Sequence, residues 1–247
     1  MSRERLDKLL VQRGLSESRA RAQAAIAAGE VKVDGTVVDK ASAWVAHDAA
    51  LELTSQPQYV SRGGLKLEGA LADLELSLHD LCVADIGAST GGFTDCALAH
   101  GARRVYAIDV GHGQLHPRLR GDARVVAMEG VNARELSAHS LPEAVDLVLV
   151  DASFIGLGKL LPALVTLLTD AGALLLLVKP QFEVGREQVG KRGVVRQDTL
   201  RLRAVEDVAE VARALGFSQH GLVESRVHGP QGNREIFLLL RRQSSTS

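Results

Sequence analysis

The sequence predicts an α/β fold in which a mostly parallel sheet, with its last strand antiparallel, follows a small α+β unit. From about residue 60, short apolar runs alternate with helical stretches, the order typical of βαβ units and a parallel sheet. Before that point the pattern is one of short helices and a tight hairpin. The 247 residues are 46% hydrophobic and 24% charged, which indicates a globular chain long enough to bury a core.

Composition narrows the function before any motif is considered. The 29 Lys and Arg against 30 Asp and Glu leave a formal net charge of -1, which excludes a histone-like polycation and does not favour nucleic-acid binding. Two cysteines, Cys82 and Cys96, are too few for a disulfide scaffold or, unaided, for a zinc site. The longest apolar run, 171–178, is too short to span a membrane, and the charged N-terminus lacks a signal core. We therefore expect a cytoplasmic protein.

Residues 1–54 are predicted to form the small first unit. Its first helix places Leu6, Leu9 and Leu10 on one face and ends at Gly14. The second helix has an N-cap at Ser16, an apolar face of Ala22, Ala25 and Ile26, and an end at Gly29.

Strands complete this unit. A hairpin over 31–38 turns at Asp34-Gly35, a residue pair that tolerates positive φ, and residues 51–54 form a further strand. The polar segment 55–59 is expected to be a linker.

The second predicted unit covers residues 60–242 and is followed by a disordered tail at 243–247. Its expected parallel strands are the apolar runs 81–86, 104–109, 124–128, 146–151 and 172–178. A helix over 199–215 ends at Gly216. Strands near 218–225 and 235–240 are expected to pair antiparallel because their connection is short.

A glycine-rich motif, Asp85-Ile-Gly87-Ala-Ser89-Thr-Gly91-Gly92-Phe93, lies between a predicted strand and a helix. Glycines there let the backbone approach a ligand, and Asp109 ends the next strand, where a carboxylate can hold ribose hydroxyls. The spacing lacks the middle glycine of G-x-G-x-x-G, and no Gly-Lys-Ser/Thr follows. An acid that opens the motif suits a cationic ligand without phosphates, namely S-adenosylmethionine. A nicotinamide oxidoreductase is the disfavoured alternative.

Four charged residues are expected to meet at one edge of the sheet. Asp151 and Lys179 each follow an apolar run and so lie at the carboxyl ends of parallel strands, where open sheets bind ligands. Lys66 lies just before the first strand of this unit, and Glu235 opens the last one. Lysines and carboxylates that converge neutralise one another, and such a lysine can help to remove a proton from a weakly acidic hydroxyl. A sugar 2′-hydroxyl that attacks a sulfonium methyl group needs this help.

The ordered motifs resemble a known family across nearly the whole chain. Residues 1–54 resemble the alpha-L RNA-binding domain shared with a small-subunit ribosomal protein, through Arg5-Leu-Asp7-Lys-Leu-Leu, Arg13-Gly-Leu, Ser18-Arg19, Ala28-Gly-Glu-Val31 and Val33-Asp-Gly35. Residues 59–241 resemble the FtsJ-type 2′-O-methyltransferases, and the combination is similar to the TlyA (haemolysin A) family. The motifs of the second part are Tyr59-Val-Ser-Arg-Gly-Gly-Leu-Lys-Leu, Asp85 to Asp95, Asp151-Ala-Ser-Phe154 and Lys179-Pro-Gln-Phe182.

This resemblance implies a Rossmann-like enzyme that uses S-adenosylmethionine to methylate a ribose 2′-hydroxyl of ribosomal RNA, with cytidines on both subunits as the family's targets. It implies the Lys-Asp-Lys-Glu tetrad of FtsJ-type enzymes at Lys66, Asp151, Lys179 and Glu235. In that tetrad Lys179 would activate or orient the hydroxyl, and Asp151 would hold Lys179 and lie near the sulfonium. Lys66 would stabilise charge at the hydroxyl, and Glu235 would organise the lysines. The family mechanism implies no metal.

The remaining candidates are assigned by position. Cofactor contacts are expected along the glycine motif and at the ends of the next two strands, from Asp85, Gly87, Ser89, Gly91, Gly92, Phe93, Asp109 and Asn132. RNA contacts are expected from basic side chains of the first unit and of the glycine-rich stretch after Lys179, namely Arg5, Lys8, Arg19, Arg21, Arg186, Lys191 and Arg192.

Three other functions stay open at this point. Besides the oxidoreductase, the chain could be a non-catalytic RNA-binding or ribosome-assembly factor that retains the fold, or a haemolysin, as the family's historical name has it. His112 and His116 lie at i and i+4, but the Glu that a zinc motif places after the first histidine is missing.

Overall fold

The structure is a computed structural model that describes residues 3–27, 29–53, 58–190, 193–229 and 232–243. Contacts between Cα atoms divide the chain into two compact units, Met1–Pro57 and Gln58–Ser247. Of the expected linker, residues 55–57 lie outside the described residues, and Tyr59 is buried in a core cluster of the second unit. Of the expected tail, residues 244–247 lie outside them as well.

The first unit packs two helices against short strands. In chain order its elements are β1 (Arg3–Arg5), α1 (Leu6–Gln12), α2 (Arg19–Ala27), β2 (Val31–Val33), β3 (Thr36–Val37), β4 (Trp44–Ala46) and β5 (Leu51–Leu53). β1 pairs with β4, and the second sheet has the order β3-β2-β5. Apolar side chains of both helices and of β2 form its buried core, including Leu6, Leu9, Leu10, Ala22, Ile26 and Val31.

Local signals explain most of this unit. The predicted hairpin is confirmed, since β2 pairs antiparallel with β3 around Asp34 (φ 49°) and Gly35 (φ 77°), both left-handed. The expected cap at Ser16 is wrong. The second helix begins only at Arg19, and Ser18 Oγ accepts a hydrogen bond from the Arg21 N–H at 3.3 Å.

The second unit is built on a seven-stranded sheet with the order β11-β12-β10-β9-β6-β7-β8. Its elements are α3 (Arg62–Asp73), β6 (Cys82–Ile86), α4 (Gly92–Ala99), β7 (Arg104–Asp109), α5 (Pro117–Arg120), β8 (Val125–Glu129), β9 (Val145–Val150), α6 (Leu161–Leu164), β10 (Leu168–Val178), α7 (Pro180–Glu183), α8 (Asp198–Ala214), β11 (Phe217–Glu224) and β12 (Ile236–Arg242). Short 3-10 helices cover Ala133–Glu135, Leu157–Lys159, Val165–Leu167 and Arg186–Gln188.

Strand directions match the prediction. β8, β7, β6, β9 and β10 are paired parallel, whereas β12 runs antiparallel to both β10 and β11. Side chains alternate between two buried clusters, one on each face of the sheet. Ala84 and Ile86 pack with residues of α8, and Val83 packs with residues of α3 and α4. Both faces are covered, which accounts for the nearly continuous apolar strands.

Candidate active site

The glycine loop after β6 lies at the switch point of the sheet. β6 is flanked by β7 on one side and β9 on the other, so the chain turns to opposite sides from here and a crevice opens at the carboxyl ends of the strands. Gly87 has φ 82°, and a Cβ there would lie 2.9 Å from the Asp151 carbonyl oxygen. Only glycine fits this close approach, which brings the loop against the residue after β9.

The next two glycines of the motif make room for protein atoms. Gly91 has φ 95°, and a Cβ there would lie 2.3 Å from a methyl group of Leu119. A Cβ on Gly92 would lie 2.2 Å from Ser61 Oγ and 2.9 Å from the Gly64 nitrogen. These glycines therefore allow the loop and the start of α4 to pack closely against Leu119, Ser61 and Gly64.

Asp109 is held at the rim of this crevice. Its Oδ2 accepts a hydrogen bond from the Ser89 N–H at 2.8 Å, and its Oδ1 accepts one from the Gly111 N–H at 2.7 Å. These amides orient a carboxylate whose remaining lone pairs can accept from two hydroxyls. Val110, the next residue, is 73% exposed and offers an apolar surface beside it. This arrangement fits a ribose joined to a flat base, as in S-adenosylmethionine.

Asp85, which opens the glycine motif, is enclosed by the protein. The side chain is fully buried, and its Oδ2 accepts a hydrogen bond from Thr94 Oγ1 at 2.6 Å. Burial raises the pKa of Asp85 to about 7. The Thr94 contact ties β6 to α4, whereas Oδ1 has no hydrogen-bond partner among the described residues, so a contact of Asp85 with a cationic ligand stays a prediction.

Two further residues that were expected to contact the cofactor, Phe93 and Asn132, have their side chains engaged by other parts of the protein. Phe93 is 3% exposed and stacks on Phe237 with ring centroids 6.0 Å apart, so it belongs to the core and not to a ligand surface. Asn132 caps a 3-10 helix. Its Oδ1 accepts from the Arg134 N–H at 3.2 Å, and its Nδ2 donates to Glu135 at 2.8 Å. Both groups of the Asn132 amide are thus engaged within the turn.

Lys66 and Glu235 form one buried ion pair. Lys66 lies on α3, and its Nζ donates to Glu235 Oε2 at 2.6 Å. Lys66 is 8% exposed and Glu235 is 1% exposed. The second carboxylate oxygen, Oε1, has no hydrogen-bond partner among the described residues. A buried pair with a spare acceptor can receive a further donor, such as a hydroxyl or a water molecule.

Lys179 and Asp151 form the second ion pair. Lys179 Nζ lies 2.6 Å from Asp151 Oδ1 and donates to the Asp151 carbonyl oxygen at 3.2 Å and to Ser153 Oγ at 2.9 Å. Lys179 is 7% exposed. Three oxygen atoms around one ammonium group hold its nitrogen at the carboxyl end of β10. Ser153 is not among the predicted site residues, although it lies within the motif Asp151-Ala-Ser-Phe154.

Strand register brings the two ion pairs to the same edge. Val178 of β10 pairs with Ile236 of β12, so Lys179 and Glu235 each lie one residue beyond a paired position. Asp151 follows Val150, which pairs with Ile86 just before Gly87. The four tetrad candidates and the glycine loop therefore share the carboxyl edge of the parallel strands.

The basic candidates of the first unit are anchored by acids. Asp7 is fully buried, and its carboxylate accepts hydrogen bonds from Arg5, Arg19 and Gln23 at 2.7 to 3.0 Å. Lys8 lies 3.8 Å from Glu4, and Arg21 lies 2.5 Å from Glu17. The four cations keep between 31% and 51% of their side-chain surface exposed, so they still present positive charge to solvent.

Replacing Asp7 with alanine is expected to lower the free energy of unfolding of the first unit by about 2 kcal/mol, because it removes the hydrogen bonds that join α1 to Arg19 and Gln23 of α2 and to Arg5 of β1. The bonds from Arg5, Gln23 and Arg19 hold the pKa of Asp7 well below its usual range. A carboxylate with a depressed folded-state pKa stabilises fully above its unfolded pKa of about 4, and this contribution is lost as the pH falls below that value.

Hydrogen exchange of peptides from α1 and α2 in the full chain measures this effect. Exchange of these peptides should be faster in Asp7→Ala than in the unaltered protein at pH 7. In the unaltered protein, α1 and α2 should open more often below pH 4 than at pH 7, as judged from exchange rates corrected for the effect of pH on exchange itself. Asp39→Ala, at an exposed acid of the same unit, is the control. Equal protection in Asp7→Ala and Asp39→Ala would contradict the role of Asp7.

The basic candidates of the second unit are described in part. The backbone of Arg186 begins a 3-10 helix, Arg186–Gln188, after α7. Lys191 and Arg192 lie outside the described residues, so their proposed phosphate contacts stay predictions.

Residues 59–242 match the FtsJ-like methyltransferase family, and residues 4–45 match the S4 domain. The chain therefore belongs to the FtsJ-like methyltransferase family.

Individual relatives are similar along nearly the whole chain. The 16S/23S rRNA (cytidine-2′-O)-methyltransferase TlyA of Mycobacterium tuberculosis is 46% identical over 244 residues, which cover 98% of this chain and 91% of the relative. Hemolysin A of Brachyspira hyodysenteriae is 39% identical over 232 residues, which cover 94% and 97%. A solved hemolysin-named structure from Streptococcus thermophilus superposes with a TM-score of 0.78 at 43% identity, covering 99% of this chain and 90% of that one. The chain is thus similar to TlyA-type proteins in both units.

Across the part of the chain that the structure describes, no helix is long and apolar enough to cross a membrane. Within the same ranges, no group of three or more His, Cys, Asp or Glu side chains is arranged to hold a metal ion.

Proposed function

We propose that this protein transfers a methyl group from S-adenosylmethionine to a ribose 2′-hydroxyl of ribosomal RNA, with cytidine as the nucleoside. The proposal rests chiefly on two ion pairs, Lys66–Glu235 and Lys179–Asp151. Both lie at the sheet edge that also holds the glycine loop. The names of the TlyA relatives support the same reaction and nucleoside. A ribosomal subunit as partner would place the enzyme in the cytoplasm.

The crevice beside Gly87 would hold the cofactor. S-adenosylmethionine, when bound there, supplies an electrophilic methyl group on a positively charged sulfur. Asp109, oriented by the Ser89 and Gly111 amides, would accept the ribose hydroxyls, and Val110 would cover the adenine. Asp151 would add negative charge beside the sulfonium.

Lys179 would position the attacking hydroxyl. Its Nζ is surrounded by Asp151 and Ser153 oxygens, and an incoming 2′-hydroxyl can take the place of the Ser153 contact. With the cofactor bound, the ribose oxygen would form a bond to the methyl carbon as the bond from that carbon to sulfur breaks. The hydroxyl proton would pass to the Lys179 nitrogen as this nitrogen gives one of its own protons to the Asp151 carboxylate, which would be the final acceptor. Lys66, held by Glu235, would stabilise negative charge that develops on the ribose oxygen.

An exposed aromatic ring lies beside this site. Phe154, three residues after Asp151, is 90% exposed and has φ 66°, a conformation that costs free energy for a bulky residue. Its ring lies 5.1 Å from that of Phe182, which follows Lys179. We infer that this exposed ring offers a stacking surface for a nucleobase that has been turned out of the RNA fold.

Incubation of unmodified ribosomal subunits with tritium-labelled S-adenosylmethionine tests the proposal. Label should appear in ribosomal RNA and map to a 2′-O-methylated cytidine. Label on a base, or no label in RNA, would overturn it. A non-catalytic assembly factor would bind RNA without transferring label, and a haemolysin would release dye from liposomes.

Replacing Asp109 with alanine is expected to weaken the binding of S-adenosylmethionine by at least about ten-fold, because hydrogen bonds to a charged acceptor contribute about 1.5–3 kcal/mol. Isothermal titration calorimetry measures the affinity. Asp170→Ala, at an exposed acid near the opposite end of β10, is the control and should leave it unchanged. Equal affinities for the two variants, or tighter binding of NAD than of S-adenosylmethionine by the unaltered protein, would contradict this placement.

A further inference from the structure

Arg201, in the first turn of α8, is buried without a full set of partners. It is 6% exposed, and its Nη2 donates to the Asp198 carboxylate. Nε and Nη1 have no hydrogen-bond partner among the described residues, and Nη1 approaches Glu224 only to 3.9 Å. A buried guanidinium with unused donors is costly unless an acceptor reaches it, so the side chain indicates a missing anionic or polar ligand.

Arg201 lines a cavity of about 290 Å³ whose walls are basic. Its described lining residues are Val194, Val195, Arg196, Arg201, Gly232 and Arg234, which include three arginines and no acid. A second cavity of about 300 Å³, also lined by Arg201, includes Asp198 and Glu224. The first cavity is therefore the one that selects an anion.

The neighbouring acids do not neutralise these arginines. Glu224 is engaged by Arg234, whose Nη2 donates to Oε2 at 2.5 Å and whose Nε donates to Oε1. Asp198 is shared between Arg201 and Arg234. Arg196 has no ion pair within the described ranges. Three guanidinium groups thus share two carboxylates, and one positive charge remains for a ligand.

The cavity wall is fixed by a buried amide. Asn233 is 1% exposed; its Oδ1 accepts from the Val195 N–H at 2.9 Å, and its Nδ2 donates to the Gly193 carbonyl oxygen at 2.8 Å. These bonds join the segment before α8 to the segment that carries Arg234 and Glu235. The backbone beside the arginines is therefore held in place before a ligand arrives, which lowers the entropy cost of binding.

The cavity lies next to the proposed catalytic site, on the other face of the sheet. Arg234 lies against Glu224 and Asp198, whereas the following residue, Glu235, contacts Lys66 on α3. Consecutive Cα atoms are about 3.8 Å apart, so one short backbone segment carries a residue of each site. A polyanion that crosses the sheet edge can occupy both.

We propose that this cavity binds a phosphodiester group of the RNA close to the nucleotide that is methylated. The inference rests on the proposed function. Guanidinium groups match the oxygen geometry of phosphate and bind it with two parallel hydrogen bonds, which makes arginine the preferred residue for such sites. The unused donors of Arg201 would supply these bonds, together with Arg196, for which the described part of the chain provides no ion pair.

The test uses Arg196→Gln, at an exposed residue, and Arg201→Lys, which keeps the charge and loses the planar fork. Binding to ribosomal RNA should weaken by about ten-fold in each. For Arg196→Gln the slope of log affinity against log salt concentration should fall by about 0.7–0.9. Affinity for S-adenosylmethionine should stay unchanged, and in methylation assays KM for RNA should rise while kcat changes by less than about two-fold.

Arg213→Gln, in the last turn of α8, is the matched control because Arg213 is exposed and paired only with Glu206 in the described structure. Unchanged RNA affinity and salt slope in Arg196→Gln would overturn the phosphate site, even if Arg201→Lys fails to fold. An unaltered protein that binds RNA with this salt slope but transfers no methyl group would overturn the proposed function and leave the site standing.

Discussion

Replacing Lys179 with methionine is expected to lower kcat for methyl transfer by at least about a hundred-fold, because a positioned proton-transfer group contributes about 10²- to 10⁴-fold. The affinities for RNA and for S-adenosylmethionine should change little, since neither the glycine loop nor the basic surfaces include this side chain. Methionine preserves the unbranched stem and removes the nitrogen that Asp151 and Ser153 surround. Single-turnover assays with ribosomal subunits measure the rate of the chemical step.

Lys159→Met serves as the control for this variant. Lys159 is exposed in the 3-10 helix Leu157–Lys159, which follows Asp151 by a few residues in the sequence. The control should keep full activity, and far-UV circular dichroism should be unchanged in both proteins. A Lys179→Met enzyme that retains a large part of its activity would show that the ion pair with Asp151 is structural and that another group handles the proton.

The sheet of the second unit could be predicted because its strands are buried on both faces. Apolar runs such as 81–86 and 146–151 are visible without knowledge of the fold; Gly87 follows the first run, and the second ends in Asp151. β1 and β4 were missed because they rest on pairing with each other, Arg5 opposite Trp44, and because no tight turn such as Asp34-Gly35 joins them in the sequence.

Helix α3 was not predicted because two glycines, which disfavour helices, lie near its start. Gly63 and Gly64 lie in its first turn and lower the helical signal, so Lys66 was expected just before the first strand of this unit without a helix around it. The structure explains Gly64 through packing, since a Cβ there would lie 2.3 Å from the ring of Tyr59. A requirement set by a distant ring is not visible in the local sequence.

The types of residue in the sequence predicted which chemical groups lie at the site. They did not predict which way each side chain points. The tetrad candidates form two ion pairs near one sheet edge, and topology explains the placement of Asp151 and Lys179, which follow parallel strands that end at that edge. Asp85 and Phe93 lie in the ligand motif, yet both side chains turn into the core, toward Thr94 and Phe237. The basic residues of the first unit were recognised as charges, whereas the buried acid Asp7 that orients Arg5 and Arg19 was not.

The ion pair of Lys66 with Glu235 is expected to give a large coupling free energy in a double-mutant cycle. Lys66→Met alone leaves a buried carboxylate without its partner, and Glu235→Leu alone leaves a buried ammonium group. Each single change should lower the free energy of unfolding by about 3–5 kcal/mol, and the double variant should recover most of the loss because an apolar pair can replace a buried ion pair. Urea unfolding followed by circular dichroism measures the cycle.

The double variant separates stability from catalysis. Its fold should be close to that of the unaltered protein, yet it should transfer no measurable methyl group, because charge on the ribose oxygen would meet apolar side chains where Lys66 now lies. The exposed pair of Arg226 with Asp73, on the same helix α3, is the matched comparison and should show coupling below about 1 kcal/mol. A coupling no larger than this for Lys66 and Glu235 would contradict the predicted strength of the buried ion pair. An active double variant would contradict the catalytic role of Lys66, since a charge pair kept only for stability could be replaced without loss of methyl transfer.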